Sequence, residues 1–310
     1  MQNKITSPAY LKKILKENNL APHRSMGQNF LVDENILGKI VDAARLDEND
    51  LVMDIGAGPG ALSLNLASKV DGVIAVEWDA GLAGLLVKQA GEMELHNLHV
   101  IEGDVRRLDL EKICAEHWGD RIYNGKGAGK RIKVVANLPY YLTTPLLFKL
   151  LQGELEIELL VLMVQLEAAG RIMAAPGNKI YGTLSVLCQY YTKPNLLFKV
   201  KPNAFYPAPE VDSAVVLLEV LPEHSFNVTD EDIFWQIVRA SFQKRRKTIL
   251  NALEGVGQLE KGDWKKLLTE TGIAPVRRGE TLSLKEFANL SNLFYNKYGF
   301  LRLMSPNGGN

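Results

Sequence analysis

The sequence predicts an α/β fold, a largely parallel sheet flanked by helices and followed by a smaller all-helical region. Three observations carry this. Short apolar runs at 51–55, 73–77, 98–101, 133–136, 157–164, 196–200 and 213–220 read as buried strands. Of the first five, all neighbours but the third and fourth are separated by a stretch of helical spacing, the pattern of parallel strands joined by crossover helices. Past Pro222 every apolar pattern has helical spacing, which places a domain boundary near 221–228.

Taken in order, residues 8–17 (PAYLKKILKE) have helical spacing with a basic polar face, and 33–45 form a second helix opened by Asp33 as its cap. The strand 51–55 runs directly into Gly56-Ala57-Gly58-Pro59-Gly60, and a helix is expected over 61–68. Strand 73–77, helix 82–90 and strand 98–101 follow, then a glycine- and lysine-rich surface loop from Asp120 to Arg131. Strand 133–136, helix 144–151, strand 157–164 and helix 181–191 continue the alternation. Helices are expected near 231–243, 247–253, 263–271 and 283–297, and the tail MSPNGGN is expected to be disordered.

Composition sets the class. Hydrophobic residues make up 46% and charged residues 23% of 310, enough apolar side chain for a substantial core without covalent staples. Cys114 and Cys188 fit neither a disulfide framework nor a zinc pattern, so a reduced, cytoplasmic setting is expected. The polar N-terminus lacks the apolar stretch of a signal peptide, and no apolar run is long enough for a membrane span. Lys plus Arg and Asp plus Glu both number 36, so any nucleic-acid footprint has to be a local patch.

The glycine turn after the first strand lets the backbone approach a ligand, beside a helix N-terminus that favours negative charge. Its spacing is not that of the dinucleotide fingerprint, which needs its third glycine one residue after Gly60, where Ala61 stands, followed by Leu62. Glu77 ends the second strand, where a carboxylate can accept from both ribose hydroxyls of an adenosine. Asp104 ends the third and can accept from the adenine amine of a cofactor. With Asp54 these acids line the carboxyl edge of the sheet, where ligands of such folds bind.

Asn137-Leu138-Pro139-Tyr140 ends the fourth strand on the same edge. The lone pair of an adenine amine is delocalised into the ring, so its methylation needs acceptors for the amine hydrogens rather than a strong base. The Asn137 side-chain oxygen can accept one hydrogen, and the Leu138 carbonyl, oriented by Pro139, the other. Tyr140 offers a ring for the base to stack on.

These residues resemble the ribosomal RNA adenine dimethyltransferase family, and within it the bacterial small-subunit enzymes. The similarity covers about residues 22–295 and rests on motifs in the right order: Gly27-Gln28-Asn29-Phe30-Leu31, Asp54 to Gly60, Glu77, Gly103-Asp104, Asn137 to Tyr140, Ala204 to Ser213, and Phe242 to Thr248. The resemblance implies a Rossmann-like S-adenosylmethionine-dependent methyltransferase domain with a mostly parallel seven-stranded sheet over 1–224, including an N-terminal helical extension, then a small helical RNA-binding domain over 225–303 and a disordered tail over 304–310. It implies that Asn29, Leu31, Gly56, Gly58, Glu77, Asp104 and Asn137 touch S-adenosylmethionine, and that Phe205 joins Tyr140 at the target adenine. Pro207 and Pro209 stiffen the segment carrying Phe205, which suits a rigid aromatic holding a flipped base.

Next to such a domain, Arg239, Lys244, Arg245, Arg246 and Lys247 read as a phosphate-binding patch, with Lys4, Lys12, Lys13, Lys16 and Arg24 as a second. One departure from the family pattern is Val164-Gln165-Leu166-Glu167-Ala168-Ala169-Gly170-Arg171, where the family usually reads Val-Gln-Lys-Glu-Val-Ala-Glu-Arg. Leu166 removes a positive charge, and Gly170 inside a helix costs about 0.5–1 kcal/mol relative to alanine. The implied activity is dimethylation of two adjacent adenines near the 3′ end of small-subunit RNA, by direct methyl transfer without metal or covalent intermediate, in a monomer acting in ribosome biogenesis. The rivals are a large-subunit adenine methyltransferase of the resistance type, against which the extended helical region and its basic run argue, and a non-catalytic assembly factor, against which the intact Asn137–Tyr140 loop argues.

Overall fold

The computed structural model describes residues 4–23, 27–122, 131–244 and 246–299. Most of the 120–131 loop, the 304–310 tail, Arg24 and Arg245 lie outside the described residues.

Helix α1 (Pro8–Glu17) starts at a Ser7 cap with proline in its first turn and buries Leu11, Ile14 and Leu15. Strand β1 (Phe30–Leu31) is only two residues long. Helix α2 (Glu34–Ala43) has the expected cap, Asp33 Oδ1 accepting from Ile36 N–H at 3.1 Å. Then follow β2 (Leu51–Ile55), α3 (Ala61–Ala67), β3 (Gly72–Glu77), α4 (Ala80–Glu92) and β4 (Leu98–Glu102). Helix α5 (Leu110–Trp118), capped by Asp109 accepting from Lys112 N–H at 2.9 Å, fills a stretch the sequence reading left unassigned. Next come β5 (Ile132–Asn137), α6 (Thr143–Gln152), β6 (Ile157–Gln165), α7 (Leu166–Met173) and α8 (Thr183–Tyr191). Strands β7 (Thr192–Val200), β8 (Phe205–Tyr206) and β9 (Ser213–Val220) precede α9 (Glu231–Gln243), α10 (Ile249–Leu253), α11 (Lys261–Glu270) and α12 (Leu284–Tyr298).

The chain divides into two compact units, one of Met1–Ala169 with Lys193–Val220 and one of Gly170–Thr192 with Leu221–Asn310. The sequence reading cut the chain once, near 221–228; residues 170–192 instead group with the C-terminal helices, a tertiary association that periodicity does not encode.

The first unit is built on a seven-stranded sheet in the order β4-β3-β2-β5-β6-β9-β7, the expected α/β architecture. The pairs β4–β3, β3–β2, β2–β5 and β5–β6 are parallel, and β9 runs antiparallel to β6. Every residue of β2 and of β3 is buried, as parallel strands covered on both faces must be. Strand β7 begins four residues earlier than the apolar run suggests because it lies at the sheet edge, where Pro194 can be accommodated. Strands β1 and β8 pair as a separate antiparallel ribbon, with Phe30 opposite Tyr206 and Leu31 opposite Phe205.

The second unit is helical apart from its link to β7, with Phe234, Trp264 and Phe287 fully buried. Helix α12 opens with a reciprocal cap between Ser283 and Glu286, and Arg277 pairs with the same Glu286 carboxylate. No helix among the described residues is long and apolar enough to cross a membrane.

Candidate active site

Strand order explains where the site forms. From β2 the chain moves outward through β3 to β4, then returns to place β5 on the other side of β2. Loops leaving the carboxyl ends of β2 and β5 therefore diverge from a common point, the switch point at which open α/β sheets bind ligands. The glycine turn follows β2 and Asn137–Tyr140 follows β5, so two motifs about eighty residues apart become neighbours. An open cleft lies there, lined by Asn29, Leu31, Asp54, Gly56, Gly58, Glu77, Asp104 and Asn137 to Tyr140 among others.

The turn needs its glycines. Gly56 has φ +75°, and a Cβ there would stand 2.9 Å from Pro139 Cδ and 3.6 Å from the Asn137 carbonyl oxygen. Gly58 has φ +55°, with the Phe30 ring 3.2 Å from where a Cβ would be. The turn is thus pressed against the Asn137–Tyr140 loop on one side and β1 on the other, and this cradle would be filled by any side chain.

Glu77 is buried, and burial raises its carboxyl above the usual carboxylate range. Gly58 N–H donates to its Oε2 at 2.7 Å and Asp79 N–H to its Oε1 at 2.9 Å. These bonds fix the carboxylate while each oxygen keeps acceptor capacity for a further donor, as a pair of ribose hydroxyls would supply. Asp54 is buried too; burial pushes it up to about 7, Glu77 adds to the shift, and the Ser63 hydroxyl, donating to Oδ2 at 2.6 Å, opposes it. Asp104 ends the β4 side of the cleft, held by Arg106 with Nη2 2.7 Å from Oδ2, and this hydrogen-bonded guanidinium holds its carboxyl below the usual range.

The Asn137–Tyr140 loop is held from three sides. Asn137 Nδ2 donates to the Asn29 carbonyl at 3.0 Å, which commits its nitrogen and leaves Oδ1 as the acceptor. Asn29 is itself set by its Nδ2 donating to Gly27 O at 3.0 Å. Leu138 N–H donates to Met163 O of β6 at 3.1 Å, and among the described residues nothing donates to the Leu138 carbonyl. The Tyr140 hydroxyl and the Ser213 hydroxyl lie 3.0 Å apart, and burial raises the Tyr140 phenol above its usual value. Two free acceptors and a pinned aromatic ring are what positioning an amine on an aromatic base requires.

Phe205 is placed differently from the sequence reading. It does not line the cleft; it is 5% exposed in the hydrophobic core, because β8 pairs with β1 in the register that sets Phe205 opposite the buried Leu31. Its strand neighbour Tyr206 is half-buried, with Lys12 Nζ 4.8 Å from its ring centre. Arg239, Lys244, Arg246 and Lys247 are exposed at and beyond the end of α9, in the helical unit. Lys12, Lys13 and Lys16 are exposed along α1.

Sequence reasoning missed the roles of four residues, two that line the cleft and two that hold its side chains. Trp78 and Tyr141 line it as aromatics 50% and 49% exposed, a rim on which flat rings can stack. Exposed aromatics directly after two strand-end motifs were the signal that could have found them. Ser213 holds Tyr140 from 73 residues away, and Arg106 holds Asp104. Asp104–Arg106 is local in sequence, but only the fold shows that the arginine points at the acid.

Comparison with known proteins agrees with this architecture. The sequence model of the family described as ribosomal RNA adenine dimethylase matches residues 5–295. The ribosomal RNA small subunit methyltransferase A of Pelotomaculum thermopropionicum is 45% identical over 300 residues, covering 95% of this chain and 99% of that protein. That of Moorella thermoacetica is 45% identical over 287 residues, covering 93% and 97%. Among solved structures, a dimethyladenosine transferase from Plasmodium falciparum superposes with a TM-score of 0.68 at 27% identity, covering 87% of this chain and 98% of that one. The 23S rRNA methyltransferase ErmE shares the fold, with a TM-score of 0.61 at 21% identity. With the family model spanning nearly the whole chain and relatives this similar over their full length, the chain belongs to the ribosomal RNA adenine dimethylase family.

Proposed function

We propose that this chain dimethylates the exocyclic amines of two adjacent adenines near the 3′ end of small-subunit ribosomal RNA, as an enzyme of small-subunit biogenesis. The observation that carries the reading is the junction of the β2 glycine turn with the Asn137–Tyr140 loop at the switch point, Gly56 against Pro139, beside the anchored Glu77 carboxylate. The full-length likeness to proteins named ribosomal RNA small subunit methyltransferase A supports the small subunit as the source of the RNA.

S-adenosylmethionine, when bound, supplies a methyl group activated by its sulfonium. The residues fit it: the glycine turn leaves backbone exposed where a side chain would intrude, and Glu77 and Asp104 are fixed acceptors at neighbouring strand ends. In this reading Glu77 takes the ribose hydroxyls, Asp104 the adenine amine, and Asn29, Leu31, Gly56 and Gly58 form the wall. Trp78 offers its exposed ring beside them.

The target adenine stacks on Tyr140. Asn137 Oδ1 and the Leu138 carbonyl each accept one amine hydrogen, which draws the nitrogen from planar towards tetrahedral geometry and frees its lone pair from the ring for the methyl donor. As the new N–C bond forms the donor's S–CH3 bond breaks, and the excess proton is lost to solvent water from a nitrogen already held between acceptors, so no strong base is required. After the first transfer one amine hydrogen remains for one acceptor, and a second round yields the dimethylated base. Phe205 joins the base only if the β1–β8 ribbon rearranges when RNA binds. We assign RNA phosphate contacts to Arg239 and residues 244–247 of the helical unit, and the enzyme acts as a cytoplasmic monomer.

Supplying purified, undermethylated small and large ribosomal subunits separately with labelled S-adenosylmethionine tests the reading. Label is expected in the small-subunit RNA alone. Label in large-subunit RNA favours the resistance-type reading, and absence of label from both favours a non-catalytic assembly factor.

A further inference from the structure

Asp104 sits at the end of β4, an edge strand, with its side chain 17% exposed. A carboxylate there would ordinarily sample several rotamers. Here Arg106 holds it with three N–H groups. The Arg106 backbone N–H donates to Oδ1 at 3.0 Å, Nε donates to Oδ1 at 2.9 Å with a longer arm of 3.1 Å to Oδ2, and Nη2 donates to Oδ2 at 2.7 Å. A carboxylate has about four acceptor positions, so roughly one, on Oδ2, is left for a ligand. The arginine is itself braced: its guanidinium lies 5.7 Å from the Tyr141 ring centre, and Lys149 Nζ of α6 donates to the carbonyls of Arg106 at 3.4 Å and Leu108 at 2.5 Å. Asp104 and Tyr141 both line the cleft.

We propose that Arg106 is a specificity-determining positioning residue: by occupying all but one acceptor position of Asp104, it presents a single fixed acceptor that selects a cofactor base bearing an amine. This rests on the assignment of Asp104 to the cofactor adenine made above. A ligand carrying a carbonyl oxygen in place of that amine would set two acceptors against each other, and a carboxylate held on both oxygens cannot rotate away. Without Arg106 the carboxylate swings free, and protonation becomes easier because the guanidinium no longer depresses its pKa. Arg106 is half-exposed, and an ion pair so placed contributes little to folding, so its removal leaves the fold intact.

The test is calorimetric, with S-adenosylhomocysteine and S-inosylhomocysteine as the two probes. Wild type is expected to prefer the adenosyl ligand by about tenfold or more, as a site built around one hydrogen bond rejects an analogue lacking the donor. Arg106→Ala is expected to bring the preference to within about threefold of unity, and Arg106→Lys to recover it only in part, because a lysine is a point charge rather than a fork. Melting temperatures of all variants are expected to match wild type, which separates positioning from a structural role. If Arg106→Ala keeps the wild-type preference while Asp104→Ala loses it, the proposal for Arg106 is overturned and the Asp104 assignment stands. If Asp104→Ala also keeps the preference, the Asp104 assignment fails and takes this proposal with it, whereas methyl transfer to RNA by the same variants judges the enzymatic reading independently.

Discussion

Gly56→Ala places a single methyl group between the two motifs whose contact defines the site. Gly56 sits at φ +75°, where a residue with a Cβ pays roughly 1–2 kcal/mol. The new Cβ would lie 2.9 Å from Pro139 Cδ and 3.6 Å from Pro139 Cγ, a ring that cannot swing aside as a flexible side chain would. Overpacking of this kind costs typically 1–3 kcal/mol, so with the loop held in place the total is about 2–5 kcal/mol. The alternative is for Pro139 to yield, which carries Asn137 and Leu138 away from the base. A misplacement of about 1 Å costs on the order of a hundredfold in rate. Urea unfolding and single-turnover methylation of undermethylated small subunits read the two outlets together. The variant is expected to lose stability, turnover or both, with turnover down at least about tenfold if stability is preserved. Gly84→Ala, on α4 with no atom within 4 Å of its Cβ, is the control and is expected to be neutral or slightly stabilising. Wild-type stability and turnover in Gly56→Ala would refute the packing argument.

Asn137→Ala is expected to keep cofactor affinity but lose transfer by about a hundredfold or more, the usual cost of removing a preorganised polar group at the reacting centre; wild-type rates would remove its assigned role. Glu77→Ala should weaken cofactor binding by about tenfold or more, since each hydrogen bond to a charged group is worth roughly 1.5–3 kcal/mol, and unchanged affinity by calorimetry would contradict the ribose contact. Asp54 sets a pH dependence. Its folded pKa of about 7 lies above the ordinary 3.8, so its contribution to stability is complete below the lower value and is lost as pH rises through the upper one. Chemical denaturation of ligand-free protein between pH 4 and 8 should therefore show wild type losing stability relative to Asp54→Asn over that window, and parallel curves would show that Asp54 does not titrate there.

The parallel core was readable because buried strands repeat a simple signature, and β2, β5 and β9 begin or end within a residue of their apolar runs. The helix cap at Asp33 was readable for the same local reason. Helix α5 was not, because its Leu110, Cys114 and Trp118 supply only one buried residue per turn. The β1–β8 ribbon has two residues per strand, too few for any periodicity, so nothing local told that Phe205 would be core and Tyr206 partly exposed. The strand-end acids and Asn137–Tyr140 were visible as motifs, yet their convergence needed the crossover that sets β5 beside β2. The Tyr140–Ser213 contact and the grouping of 170–192 with the C-terminal helices are tertiary facts without a local trace.

The most direct test is mass spectrometry of small-subunit RNA from a strain lacking this protein, compared with the same strain complemented by wild type or by Asn137→Ala. The account predicts that N6,N6-dimethyladenosine at two adjacent positions near the 3′ end disappears on deletion, returns with wild type and stays absent with Asn137→Ala. Dimethyladenosine unchanged by the deletion, or restored by Asn137→Ala, would contradict it.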